Sequence, residues 1–215
     1  MVRLRRVPRS EVDHPVVEYM YERKFGDRDP VVEPGMPGGA RGDFFTVLAQ
    51  VPDVLEHVAR GFGVIQDPAR QLDRGLCELV KARTGWVVES QFVYSGHCKT
   101  ARLAGVDEER IQALPHWQVA ECYSSAERAA LAYTDCLAGA GGRVPDGIFD
   151  ALRAQLSEPE IIELDFVVCS YAAHGATARA LRLDFDDRAD PVTEVAVPDE
   201  QSLAAMPGPI VLPED

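Results

Sequence analysis

Two residues in this chain have the type and setting for proton chemistry. They are Glu78, in the helical stretch 68–84, and His97, in the middle of WVVESQFVYSGHCKTARLAG at 86–105. An imidazole suits general acid–base work because its ordinary pKa lies near neutrality, and a carboxylate partner holds its tautomer and raises its basicity. Pairing of the two helices would make Glu78 that partner. Val93 and Ser90 lie one and two turns before His97 on the same face, and Tyr94 precedes it by three residues. His174, beside Gly175 in the last helical stretch, is placed to line the same cavity. Tyr94, Ser90, Val93 and His174 are therefore the substrate-binding candidates. From pattern alone the commoner readings stay open: a satisfied core histidine for His97 and a solvated helix glutamate for Glu78.

Metal chemistry has little support. Neither His97 nor His174 lies in His-x-x-x-His or Glu-x-x-His spacing, so no metal ligand is assigned. Cys77, Cys98, Cys122, Cys136 and Cys169 are widely spaced and form no CxxC. They read as small core residues rather than a redox pair or a zinc knuckle.

The elements that must position these groups are helical. Leu72, Leu76, Leu79 and Arg83 form a core-facing stripe of a helix opened by Asp67 as N-cap and Pro68, and ended near Thr84-Gly85. Gly75, Glu78 and Ala82 form a second stripe, whose small residues would let a neighbouring helix cover the carboxylate. Arg70, Asp73, Arg74 and Lys81 read as the wet face. Gly105 stops the helix that carries His97. Ser124–Glu127 and Ser157–Glu160 are capping boxes for two later helices. A short helix over Val12–Phe25 is weakly signalled, and Pro52 divides the apolar stretch that begins at Asp43. With neither βαβ alternation nor a solenoid period, the fold class is all-α.

Three segments follow from composition: an irregular N-terminal arm at 1–42, a helical domain at 43–183, and an acidic, proline-rich tail at 184–215 that hangs free or lies across a neighbouring subunit. The chain has 215 residues, with 22 Lys plus Arg against 35 Asp plus Glu. A net charge of −13 argues against binding a phosphate backbone. Without a signal-like apolar core or a bilayer-length run, the expected location is the cytoplasm, with no membrane or nucleic-acid partner.

The stretch GLCELVKARTGWVVESQFVYSGHCKTARLAGVDEERI resembles the carboxymuconolactone decarboxylase family, which also holds alkylhydroperoxidase D-like proteins. The resemblance rests on Glu78-Leu79-Val80, on His-x-x-x-Ala-Arg at His97–Arg102, and on Ala-Gly-Val before Asp107. It extends over about residues 43–183. It implies an alkylhydroperoxidase D-like helical bundle, a trimeric or hexameric homo-oligomer, a small-molecule substrate and no cofactor.

The family's peroxidase pattern is Glu-x11-Cys-x2-Cys-x3-His. Here Glu78 and His97 match its ends, but Ser90 and Val93 stand at the cysteine positions. A peroxidase cycle needs a thiolate and a resolving thiol. Cys98 lies on another helix face from His97. The decarboxylase-like pattern Tyr-Glu-Trp-x-x-His is nearer, with Phe92 for Tyr, Tyr94 for Trp and Val93 for the acid, leaving Gln91 or Glu89 as stand-ins. The expected function is thiol-independent acid–base chemistry by His97 and Glu78 on a small carboxylate or lactone. Tyr94 and Ser90 would hydrogen-bond that substrate, and Arg83 or Arg102 would attract its charge. Peroxide reduction and a non-catalytic binding role are the alternatives.

Overall fold

The computed structural model describes residues 1–187, 191–197 and 210–212. Among them there are nine α-helices, two 3-10 turns and no strand. Contacts gather the chain into two compact units.

The first unit holds Met1–Pro68, the chain from Ala178 to Asp187, residues 195–197, and Ile210 with its neighbours. Its helices are α1 (Pro15–Phe25), α2 (Asp43–Leu48) and α3 (Pro52–Gln66). Residues 1–42, read from the sequence as irregular, thus contain a helix that buries Val16, Val17, Met20, Tyr21 and Phe25. Pro52 opens α3 at a position where its missing N–H costs nothing. The start of α2 is held from far along the chain. The Asp184 carboxylate accepts from the backbone N–H groups of Gly42, Asp43 and Phe44 at 2.6, 3.2 and 3.1 Å. That satisfies donors a helix start leaves over.

The second unit, Ala69–Thr177 with a short piece ending at Glu194, carries Glu78 and His97. It contains α4 (Arg74–Val87), α5 (Gln91–Leu103), α6 (Glu108–Ala113), α7 (Ser125–Gly139), α8 (Asp146–Arg153) and most of α9 (Glu158–Leu181). Its core joins Leu79 and Ala82 of α4, Tyr94, Cys98 and Ala101 of α5, Ile111, Leu114 and Trp117, and Leu131 of α7. Each fully buried leucine among them contributes roughly 1.5–3 kcal/mol.

Two boundaries differ from the sequence reading. Helix α4 begins at Arg74, not Pro68, because Asp73 is the cap: its carboxylate accepts from Leu76 N–H at 2.8 Å. Ahead of it, the amides of Gln71 and Leu72 donate to Glu163 on α9 and hold that stretch outside the helix. At the other end α4 runs through Gly85 to Val87, so Trp86 and Val87 close α4 rather than open α5. Glu89 takes a left-handed conformation at φ 57°, Ser90 N–H returns to Gly85 O, and Glu89 N–H to Trp86 O. This is the Schellman closure that usually falls to glycine.

Gly85 serves packing instead. A Cβ there would lie 2.4 Å from Tyr94 N, so its absence is what lets α5 approach α4. Gly105, at φ 84°, ends α5 as the sequence reading has it. The capping box at Ser124 is formed with both bonds, and at Ser157 the Glu160 carboxylate returns to Ser157 N–H.

Of the tail at 184–215, Val192 packs against the second unit's core and Glu194 meets Arg102 through both carboxylate oxygens, at 2.5 and 2.7 Å. Residues 188–190, 198–209 and 213–215 lie outside the described residues.

Candidate active site

The site is built where α4, α5 and α9 of the second unit meet. On α4, Cys77, Glu78 and Lys81 share one face through i, i+3 and i+4 spacing. On α5, His97 and Thr100 are three residues apart, as are Tyr171 and His174 on α9. The N-caps fix the register: Asp73 sets α4, and Ser90 sets α5 by accepting from Val93 N–H at 3.2 Å. Such caps are worth about 1 kcal/mol each.

Glu78 is the hub. Its Oε1 accepts from Lys81 Nζ at 2.8 Å. Its Oε2 lies 2.7 Å from His97 Nδ1 and accepts from Thr100 Oγ1 at 2.5 Å. His97 stands edge-on to the Tyr171 ring, 4.5 Å between centroids. Tyr171 stacks on His174 at 5.8 Å, and Phe92 tilts against His174 at 5.4 Å. Lys81 Nζ also lies over the Tyr171 ring, 5.4 Å from its centroid.

The electrostatics follow from this arrangement. Burial pushes the Glu78 carboxyl up, but the charge of Lys81 and the hydrogen bonds from His97 and Lys81 overcome it and hold Glu78 well below the usual carboxylate range. Burial likewise opposes the Lys81 charge, yet the ionised Glu78 beside it keeps its pKa above the ordinary lysine value. For His97 burial wins: its pKa is lowered despite Glu78, with Lys81 adding to the drop. An ionised Glu78 only accepts, so the neutral ring donates Nδ1–H to it. Nε2 is left with its lone pair. The arrangement is a neutral imidazole base oriented by a carboxylate, with 15% of the His97 side chain still exposed.

The structure brings Glu78 and His97 together, with His174 joined to them through Tyr171. The other candidates sit differently. Tyr94 packs on Trp86 at 5.5 Å inside the core cluster, with Cys98 as its side-chain partner. Ser90 is fully buried at the α4–α5 corner, where Gly175 of α9 approaches so closely that a Cβ there would meet Val88 at 2.6 Å and Ser90 at 3.0 Å. Its hydroxyl caps α5. Val93 is 2% exposed. Gln91 is buried, and Glu89 is exposed in the tight turn.

The arginines are engaged elsewhere. Arg83 is buried and forks onto Asp135 of α7 at 2.6 and 2.9 Å while donating to Leu114 O. Arg102 is clamped between Glu108 and Glu194.

Sequence reasoning missed Lys81, Thr100 and Tyr171. Lys81, on the wet face by its pattern, is 2% exposed. A signal was present in the Glu78-x-x-Lys81 spacing, which places the two heads within reach on one helix. Thr100, three residues after His97, carried the same kind of signal. Nothing in the sequence singled out Tyr171. No group of three or more His, Cys, Asp or Glu among the described residues could hold a metal. No helix of the described residues is long and apolar enough to cross a membrane.

The chain is similar to known proteins in sequence and in fold. The model of the carboxymuconolactone decarboxylase family matches residues 52–135. The uncharacterized protein YdfG of Bacillus subtilis is 29% identical over 127 residues, 56% of this chain and 86% of its own length. Among solved structures, a protein of unknown function from Agrobacterium tumefaciens, named for the antioxidant defence protein AhpD, is 25% identical. It has a TM-score of 0.58 and covers 63% of this chain and 92% of its own. The debrominase Bmp8 shares the fold at 18% identity, with a TM-score of 0.68 over 94% of this chain and 96% of its own. The residues that this family model matches include Glu78, Lys81 and His97.

Proposed function

We propose that this chain is a thiol-independent acid–base enzyme of the carboxymuconolactone decarboxylase type, acting on a small oxygen-rich carboxylate or lactone. One observation carries the reading: Glu78 Oε2 lies 2.7 Å from Nδ1 of a histidine held neutral, which makes Nε2 the base. Nε2 takes a proton from a carbon acidified by a neighbouring carbonyl, and Glu78 stabilises the imidazolium that forms. Where carbon dioxide leaves a substrate carboxylate instead, the C–C bond breaks, its electron pair is held as the enolate of the neighbouring carbonyl, and a solvent proton taken up by Nε2 passes to that carbon. The atoms balance without metal or thiol.

Thiol chemistry, the activity suggested by AhpD-named neighbours, has weaker support. The two cysteines nearest these helix faces are held as thiols: burial raises the pKa of Cys77, and that of Cys98 to about 12. A nucleophilic cysteine needs the opposite shift.

The test is carbon dioxide release and substrate loss across small lactone carboxylates. Wild-type protein and a variant with all five cysteines changed to Ser should turn over alike, and His97→Gln should lose turnover by about 10²–10⁴-fold. Full turnover by His97→Gln sinks the proposal. Peroxide consumption that vanishes with the cysteines would establish the thiol alternative. The trimer or hexamer expected from the resemblance belongs to the same proposal. Ile162 and Phe166, exposed one turn apart on α9, offer apolar surface for it. A monomeric mass by light scattering would contradict it.

A further inference from the structure

We propose that Lys81 is a positioning residue that sets the protonation state of His97 through the shared Glu78 carboxylate. The inference rests on the arrangement in which His97 is the base, and it concerns how that base is kept neutral.

The geometry is a bridged triad. Glu78 uses one oxygen for Lys81 Nζ at 2.8 Å and the other for His97 Nδ1 at 2.7 Å. Lys81 and Glu78 are both buried, at 2% and 8% exposure, so little solvent screens them. With Lys81 protonated and Glu78 ionised the pair is neutral overall, and a proton added to His97 would create a buried net positive charge. Without Lys81, the same proton would neutralise a buried carboxylate. The histidine's affinity for protons therefore depends on a lysine it does not touch. A Glu–His pair alone would favour imidazolium, and the lysine removes that bias.

The groups around this cluster come from three helices, with Glu163 of α9 close enough to act on Cys77. From α4 come Cys77, Glu78 and Lys81; from α5, Thr100; from α9, Tyr171 and His174. Tyr171 is held as a phenol, because burial pushes it far up. Thr100 carries no charge and Cys77 remains a thiol. Of the groups in contact with Glu78, Lys81 is thus the fixed cation. It is also pinned from a second side by the Tyr171 ring, the same ring that His97 meets edge-on.

The experiment is an NMR pH titration of the His97 ring in the full chain without substrate. Lys81→Met should raise the apparent pKa of His97 by about one unit or more, the scale on which a nearby charge shifts a buried group. Lys81→Arg, which keeps the charge, should restore a low value. Lys99→Met is the control: Lys99 is also buried on this bundle but bonds to Ser95, and it should leave His97 unmoved. An unchanged His97 titration in Lys81→Met overturns the assignment, as does an equal shift in Lys99→Met. Should Lys81→Met not fold, Glu78→Gln/Lys81→Met leaves no unpaired buried charge. His97 should then titrate higher in that double variant than in Glu78→Gln, and equality refutes the proposal. The readout is independent of turnover. A fully active His97→Gln would end the catalytic reading and leave this one standing.

Discussion

Gly85 faces the backbone of Tyr94 so closely that a methyl group on it would sit 2.4 Å from Tyr94 N and 2.9 Å from its Cα. The neighbour is backbone and cannot swing aside. This contact sets the separation of α4 and α5, and with it the reach of Glu78 to His97. Gly85→Ala should destabilise the protein by about 1–3 kcal/mol through overpacking, although alanine is the better helix former. Thermal unfolding checks this. A rise in Tm would mean that the helices are not held apart by this contact.

The Glu78–Lys81 pair predicts a non-additive cycle. Removing either partner leaves a charge buried without its counterpart, so Glu78→Gln and Lys81→Met should each cost about 3–5 kcal/mol. The double substitution removes both charges and should be more stable than the sum of the two single losses implies. Urea unfolding of the four proteins measures the coupling. Strict additivity would show that the two groups do not form a buried pair.

His97 gives a pH dependence with a definite sign. Its folded pKa lies below the ordinary 6.5, so in acid the unfolded chain binds the proton first. Stability from this group is complete above about pH 6.5 and declines as the pH falls below it. In a His97→Asn variant this part of the acid loss should vanish. The difference in unfolding free energy between the two proteins, followed from pH 7.5 down to about pH 5, is the measurement. A constant difference would contradict a depressed pKa.

Asp184 predicts the opposite slope. Burial pushes its carboxyl up to about 6, with the neighbouring Asp43 adding to the rise against three backbone N–H donors. Folding then draws a proton onto Asp184 between about pH 6 and its ordinary 3.8, and the group's contribution to stability grows as pH falls through that window. Asp184→Asn should flatten that rise, whatever constant offset it adds. An unaltered pH profile would show that Asp184 titrates alike folded and unfolded.

Much of the fold was legible because it is written in local chemistry. Ser124, Ser157 and Gly105 mark helix ends by hydrogen bonds that depend on neighbours in sequence. The Glu78–His97 contact was legible as a matter of faces: small residues beside a glutamate on one helix, a histidine at mid-helix on the next. What sequence could not carry was tertiary. Gly85 reads as a helix stop until α5 is seen pressed on it, and Glu89 takes the left-handed position that glycine normally fills. Tyr94 and Ser90 share a helix with His97, yet one faces the core and the other caps the helix. Lys81 reads as a surface residue because a lysine is nearly always solvated. Its burial depends on a carboxylate partner and a tyrosine from α9, a helix ninety residues downstream.

The most direct test of the central claim is the tautomer of His97, read from the 15N shifts and couplings of its ring at neutral pH. A neutral ring protonated at Nδ1, with Nε2 bare, is expected in the wild type, and this preference should be lost in Glu78→Gln. An imidazolium at pH 7, or a ring carrying its proton on Nε2, would contradict the account, because neither leaves Nε2 free to take a proton.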